Sequence, residues 1–252
     1  MRTANPALNQ KAFAGFDATA IGEERMTLQG TVNKAGIMLV LVLLGAVYTW
    51  NIYFTAPTLD EAVARSFPWL IGGLIGGFVL GLVTVFKKTW SVATAPLYAL
   101  VQGLFLGAIS SVMEANYPGI VIQAVALTFG TLVCLLAAYT SGLIKPSENF
   151  KLGVTAATGA IALIYVATMI LSFFGIQMPY IHEGNIMGIA FSVFVVIVAA
   201  LNLVLDFDFI EQGAEQGAPK YMEWYSAFGL MVTLIWLYLE ILRLLAKSRG
   251  RK

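Results

Sequence analysis

Charge is scarce in this chain, and the residue types that most often bind metals are nearly missing. Of 252 residues only 12% are charged, about half the ~25% of a soluble domain. Cysteine and histidine occur once each, as Cys134 and His182. A single cysteine excludes an internal disulfide, and these two residues cannot assemble a Cys/His zinc site. Cys134 stands in the apolar run TLVCLLAAY and reads as a small hydrophobe. His182, in MPYIHEGN, reads as a loop residue. No second histidine follows His182-Glu183 at metalloprotease spacing, and the glycine-x-glycine-aspartate string of paired-aspartate intramembrane proteases is missing too. Neither an enzyme nor a bound cofactor is expected. A net charge of +1 offers no general attraction for nucleic acid.

Apolar residues fill the space that charge leaves. They make up 59% of the chain and come in long runs, near 35–54, 68–86, 91–113, 119–141, 152–175, 186–207 and 224–245. About 20 apolar residues in a helix cross a ~30 Å hydrocarbon core. The expected fold is therefore all-α, a polytopic membrane bundle of seven transmembrane segments. Residues 1–33 read as a polar N-terminal arm, 34–246 as the membrane domain and 247–252 as a basic tail. The first run is too long for the core of a signal peptide, so none is expected. The breaks between runs are short and rich in turn residues, which leaves no room for a soluble domain.

Basic residues give an orientation, because they accumulate on the cytoplasmic side. Arg2, Lys11, Arg25, Lys34, Lys87, Lys88, Lys145, Lys151 and Lys220 fall on the N-terminal side of the expected spans, and Arg65 alone on the other. A cytoplasmic N-terminus follows. The cluster Arg243, Lys247, Arg249, Arg251 and Lys252 opposes this if the seventh segment crosses fully, and agrees with it if that segment dips in and returns. Both remain open at this point. Trp50, Trp69, Trp90, Trp224 and Tyr225 stand near segment ends, as an interfacial aromatic belt requires.

Small residues recur at four-residue spacing. In IGGLIGGFVLG, Gly72 pairs with Gly76, Gly73 with Gly77 and Gly77 with Gly81; Gly103 and Gly107 repeat the spacing in the third segment. Such faces let helices approach closely in lipid, either inside the bundle or between two copies in a weak homodimer.

The acids at the membrane edge are the candidate functional residues. Asp206 lies about 21 residues into the sixth segment, or ~32 Å along a helix. Glu223 opens the seventh segment and Glu240 stands ~26 Å further on. An ionisable residue in a span is costly and often marks a proton or ion path. Glu240 either belongs to such a site or pairs with Arg243, three residues on. Asn202 is placed to bond across to a neighbouring helix, while Asp208 and Glu211 read as solvated acids of a connection over 208–220.

The sixth-segment ending LNLVLDFDFIEQG, the third segment ALVQGLFLGAIS and the closing WLYLEILRLL together resemble the transmembrane Bax inhibitor motif family, in particular its bacterial branch. The resemblance covers roughly residues 30–246. It implies a bundle with the last helix central, in a bacterial inner membrane. It also implies a pH-sensitive calcium leak, with calcium as the transported ion, controlled by two aspartates on the sixth and seventh helices. The first matches Asp206, spaced from Asn202 as in the family. The second matches Glu240 by the leucine–tyrosine–leucine–acid string, or Thr233 by the leucine–arginine–leucine register. The family's basic latch after the second helix corresponds to Lys87 or Lys88. The alternative implied function is a non-transporting protein that binds and modulates other membrane proteins, such as a membrane protease.

Overall fold

The computed structural model describes residues 25–175 and 186–250. Seven helices among them are long and apolar enough to cross a membrane: α1 Leu28–Phe54, α2 Leu59–Phe86, α3 Ser91–Asn116, α4 Ile120–Thr140, α5 Glu148–Phe173, α6 Ile186–Glu215 and α7 Met222–Arg249. A short 3-10 turn, Lys88–Trp90, leads into α3. His182 and most of the N-terminal arm lie outside the described residues.

Most helices extend beyond their apolar runs, and the caps show why. Thr27 starts α1, its hydroxyl accepting from Gly30 N at 2.9 Å, so residues 28–33 belong to the helix rather than to the arm. Thr58 caps α2, which begins at Leu59, nine residues before the apolar run, and is followed by Asp60 and Glu61, whose charge suits a helix N-terminus. Ser147 caps α5 by accepting from Phe150 N. At the other end, α6 runs to Glu215, so Asp208 and Glu211 are helical and not part of a connection. The expected tail also shifts, because Lys247 and Arg249 form the last turn of α7. The helix is unbroken over 28 residues, about 42 Å, so it does not dip and return.

Residues 25–118 and 209–232 form one compact unit, and 119–208 with 233–250 another. The first holds α1, α2 and α3, and glycine sets its spacing. A Cβ on Gly103 would strike the Val42 carbonyl of α1, and one on Gly107 would strike Ala46 and the Thr49 hydroxyl. Gly73 and Gly77 of α2 lie against Phe105 and Gln102 of α3, and Gly76 against Val101. Gly81 makes ordinary contact with Tyr98 and Phe228, whereas Gly72 has nothing within 4 Å. The glycine faces thus serve packing inside the chain. The Met26 amide donates to the Ala218 carbonyl at 2.7 Å, and the Ser91 hydroxyl donates to the Tyr221 carbonyl at 3.0 Å. These bonds fasten the α6–α7 connection to α1 and α3.

In the second unit Ile161, Val195 and Val198 form a core against Ala157, Tyr165, Phe191 and Trp236. α4 enters it through Gly119, whose φ of +80° is a left-handed conformation that glycine adopts without steric penalty. α7 is the most buried of the seven helices, and α2, α4 and α5 the least. Their outward apolar faces, Phe78, Val133 and Leu163 among them, are stable in lipid, which is as apolar as the side chains.

Gly103→Ala should destabilise the protein by about 1–3 kcal/mol, because its methyl meets backbone that must move. Gly72→Ala should change little. Thermal unfolding of the two variants in detergent micelles checks the contrast.

Candidate functional site

One face of α5 carries Lys151, Thr158 and Tyr165 at seven-residue intervals. Seven residues are close to two helical turns, so the three stay aligned about 10 Å apart. Each meets a polar group on another helix. Lys151 Nζ pairs with Asp208 of α6 at 2.8 Å and with Glu148 at 3.4 Å. Thr158 Oγ1 accepts from Asn202 Nδ2 at 2.9 Å. The Tyr165 hydroxyl donates to Glu240 of α7 at 2.9 Å.

The Lys151 pair alters the expectation for Asp208. Its carboxylate is only 14% exposed and Lys151 only 3%. A solvated acid is thus replaced by a largely buried ion pair, which forms because α6 continues past the end of the apolar run. Asn202 also donates to the Val198 carbonyl at 2.8 Å, so both amide hydrogens are used.

Glu240 is buried and bonded to Arg243: Nη1 donates to the two carboxylate oxygens at 3.0 and 3.1 Å. The same nitrogen reaches the Tyr165 hydroxyl at 2.8 Å. Of the two alternatives for Glu240, the pair with Arg243 is therefore present, and it lies inside the protein.

Asp206 is fully buried one turn beyond Asn202, but Glu240 does not stand beside it. Lys247 Nζ bonds Ser192 Oγ at 2.8 Å and the Gly188 carbonyl at 3.2 Å, which fixes the antiparallel register of α7 on α6. Counting back from that contact, Thr233 comes within about one turn of the level of Asp206, and Glu240 lies more than ~10 Å along the axis. By that register Asp206 and Glu240 stand at different heights on the two helices. Thr233, also buried, takes the level facing Asp206.

A further buried carboxylate, Glu223, belongs to the other unit. It accepts from the Thr27 amide at 3.0 Å and the Thr27 hydroxyl at 2.9 Å, and pairs with Lys34 at 2.8 Å and Lys220 at 3.3 Å. A Cβ on Gly30 would overlap this carboxylate, so glycine there makes room for the charge. Lys34 also lies over the Trp224 ring. Lys88 stands 5.8 Å over the Tyr225 ring. Neither Lys87 nor Lys88 forms an ion pair among the described residues. The lysine that holds an acid of α6 is Lys151, not the anticipated pair after the second helix. Sequence reasoning passed over Lys151, Thr158, Tyr165 and Thr27; the seven-residue spacing on α5 was the available signal for three of them. No group of three or more His, Cys, Asp or Glu that would hold a metal ion occurs among the described residues.

Asp208→Asn should destabilise the protein by about 3–5 kcal/mol, because it leaves the buried Lys151 charge poorly matched. Replacing both residues, Lys151→Met with Asp208→Leu, should recover much of that loss. A double-mutant cycle on unfolding in micelles measures the difference.

No curated protein and no solved structure matches the chain. A family model described as Bax inhibitor 1 like matches residues 5–250. With almost its whole length covered and seven membrane-length helices in place, the chain belongs to the Bax inhibitor 1 like family.

Proposed function

We propose that this protein is a pH-responsive cation leak, with calcium as the ion carried, in which buried carboxylates of α6 and α7 control the open state. It is non-enzymatic and sits in a bacterial inner membrane with a cytoplasmic N-terminus, the last helix serving as the axis of the bundle. The observation that carries the reading is Asp206, a carboxyl fully withdrawn from the surface inside an apolar helix of membrane-spanning length. A charge in such a place usually serves an ion or proton path, and oxygen ligands suit calcium. Asp206 has the primary role, and protonation there changes the local charge by a full unit. Glu240 acts separately: it holds Arg243 on its own helix and accepts from the Tyr165 hydroxyl, so loss of its charge would free Arg243 and loosen the bond between α7 and α5.

Calcium flux into liposomes at two pH values tests this. Asp206→Asn should fix the flux at one level whatever the pH, whereas Glu240→Gln should alter the flux and keep a pH response. Wild-type flux and pH response in the Asp206→Asn variant would overturn the reading. That result would favour a non-transporting modulator of other membrane proteins, which should then copurify with a partner independently of the carboxylates.

A further inference from the structure

The last two turns of α7 send one cation to each of the other three helices of its unit. Arg243 reaches Tyr165 on α5 at 2.8 Å, Lys247 reaches Ser192 on α6 at 2.8 Å, and Arg249 Nη2 reaches Gln123 Oε1 on α4 at 2.9 Å. These contacts bring the C-terminal end of α7 together with the starts of α4 and α6 and the later part of α5. The described acids of this unit are Glu148, Asp206, Asp208 and Glu240. The first three belong to the opposite end, where α5 begins and α6 is past its midpoint. Among the described residues of this unit, three cations therefore share an end with one carboxylate.

That carboxylate engages only part of the positive charge. Among the described residues, Arg243's bonds all run through Nη1, and its side chain is 42% exposed. The Nε–Nη2 edge of the guanidinium is left for an outside acceptor, and that edge matches two oxygens of a phosphate. The partial negative charge at the C-terminus of α7 holds the cations near the helix end but is too small to cancel them. Large apolar side chains are exposed around the same end: Ile122 on α4, Met169 on α5, and Met187 and Phe194 on α6. A ligand suited to both features carries an anionic phosphate and long hydrocarbon chains.

We propose that the C-terminal end of α7 is a binding site for the phosphodiester headgroup of an anionic phospholipid, whose acyl chains lie along the apolar flanks of α4, α5 and α6. Arg243 and Arg249 contact the phosphate. Lys247, anchored on α6, adds charge without moving. Basic groups at a membrane surface recognise anionic headgroups in this way, each contributing about fivefold in affinity, equivalent to about 1 kcal/mol.

Native mass spectrometry of the full chain in micelles, titrated with phosphatidylglycerol or phosphatidylcholine, reads the preference directly. Wild type should retain phosphatidylglycerol several-fold more than phosphatidylcholine. Arg249→Gln, which touches only the edge of the cluster, should reduce that ratio about fivefold, and adding Lys247→Gln should reduce it further. Lys145→Gln, which removes a cation outside this end, should leave the ratio unchanged, and thermal unfolding confirms that each variant is folded. Equal retention of the two lipids would overturn the assignment, as would an equal loss in Lys145→Gln. Complete displacement of phosphatidylglycerol by an equal concentration of inorganic phosphate would also overturn it, since the apolar flanks would then contribute nothing.

Discussion

A charge inside a membrane helix is tolerable only if a partner stands at the same height. Helices in lipid gain little by burying apolar faces against each other, so packing and polar contacts between them decide how they align. On α5 that alignment is set by Lys151, Thr158 and Tyr165, each two turns from the next and each bonded to a different polar group. A slip of α5 by one turn would break all three contacts and leave the buried Lys151 charge far from Asp208. Register, which apolar contacts alone specify weakly, is therefore fixed by a few polar pairs. The core of Ile161, Val195 and Val198 fills the space between them.

The number of helices was legible because each apolar run approaches the thickness of a bilayer. Their ends were less so. Composition tells where lipid stops, whereas a helix stops where its backbone groups find other partners. Thr27 and Thr58 begin helices in stretches that composition assigns to an arm and a loop, and α6 carries Asp208 and Glu211 for the same reason. Charge pairing was harder still. Glu223 is met by Thr27, 196 residues earlier in the chain, a distance over which no local pattern operates. Lys151 looked like one more marker of membrane orientation because nothing in its neighbourhood announces burial.

Glycine spacing predicted close helix approach but not the helix approached. Gly73 and Gly77 face α3, while Gly103 and Gly107 face α1, so α3 is the shared partner of both neighbours. Gly45, in a segment without any four-residue repeat, is as tightly placed: a Cβ there would meet the Leu100 carbonyl of α3. The repeat is one way to reach close contact, and a lone glycine opposite a glycine is another. A Cβ at Gly72, inside the repeat, would meet nothing within 4 Å, which shows that a shared spacing does not imply a shared role.

The same pairing logic separates the acids by role. Asp208, Glu223 and Glu240 each lie within bonding distance of a lysine or arginine, and neutralising any of them strands a cation whose position depends on that bond. Their charge is built into the fold. Asp206 is also fully buried, on α6 between Asn202 and Asp208. On α7, Glu240 bonds Arg243 and Tyr165, and the buried Thr233 lies two turns from it. The proposed pH response therefore rests on one buried carboxyl, Asp206, while Glu240 ties α7 to α5 through Tyr165.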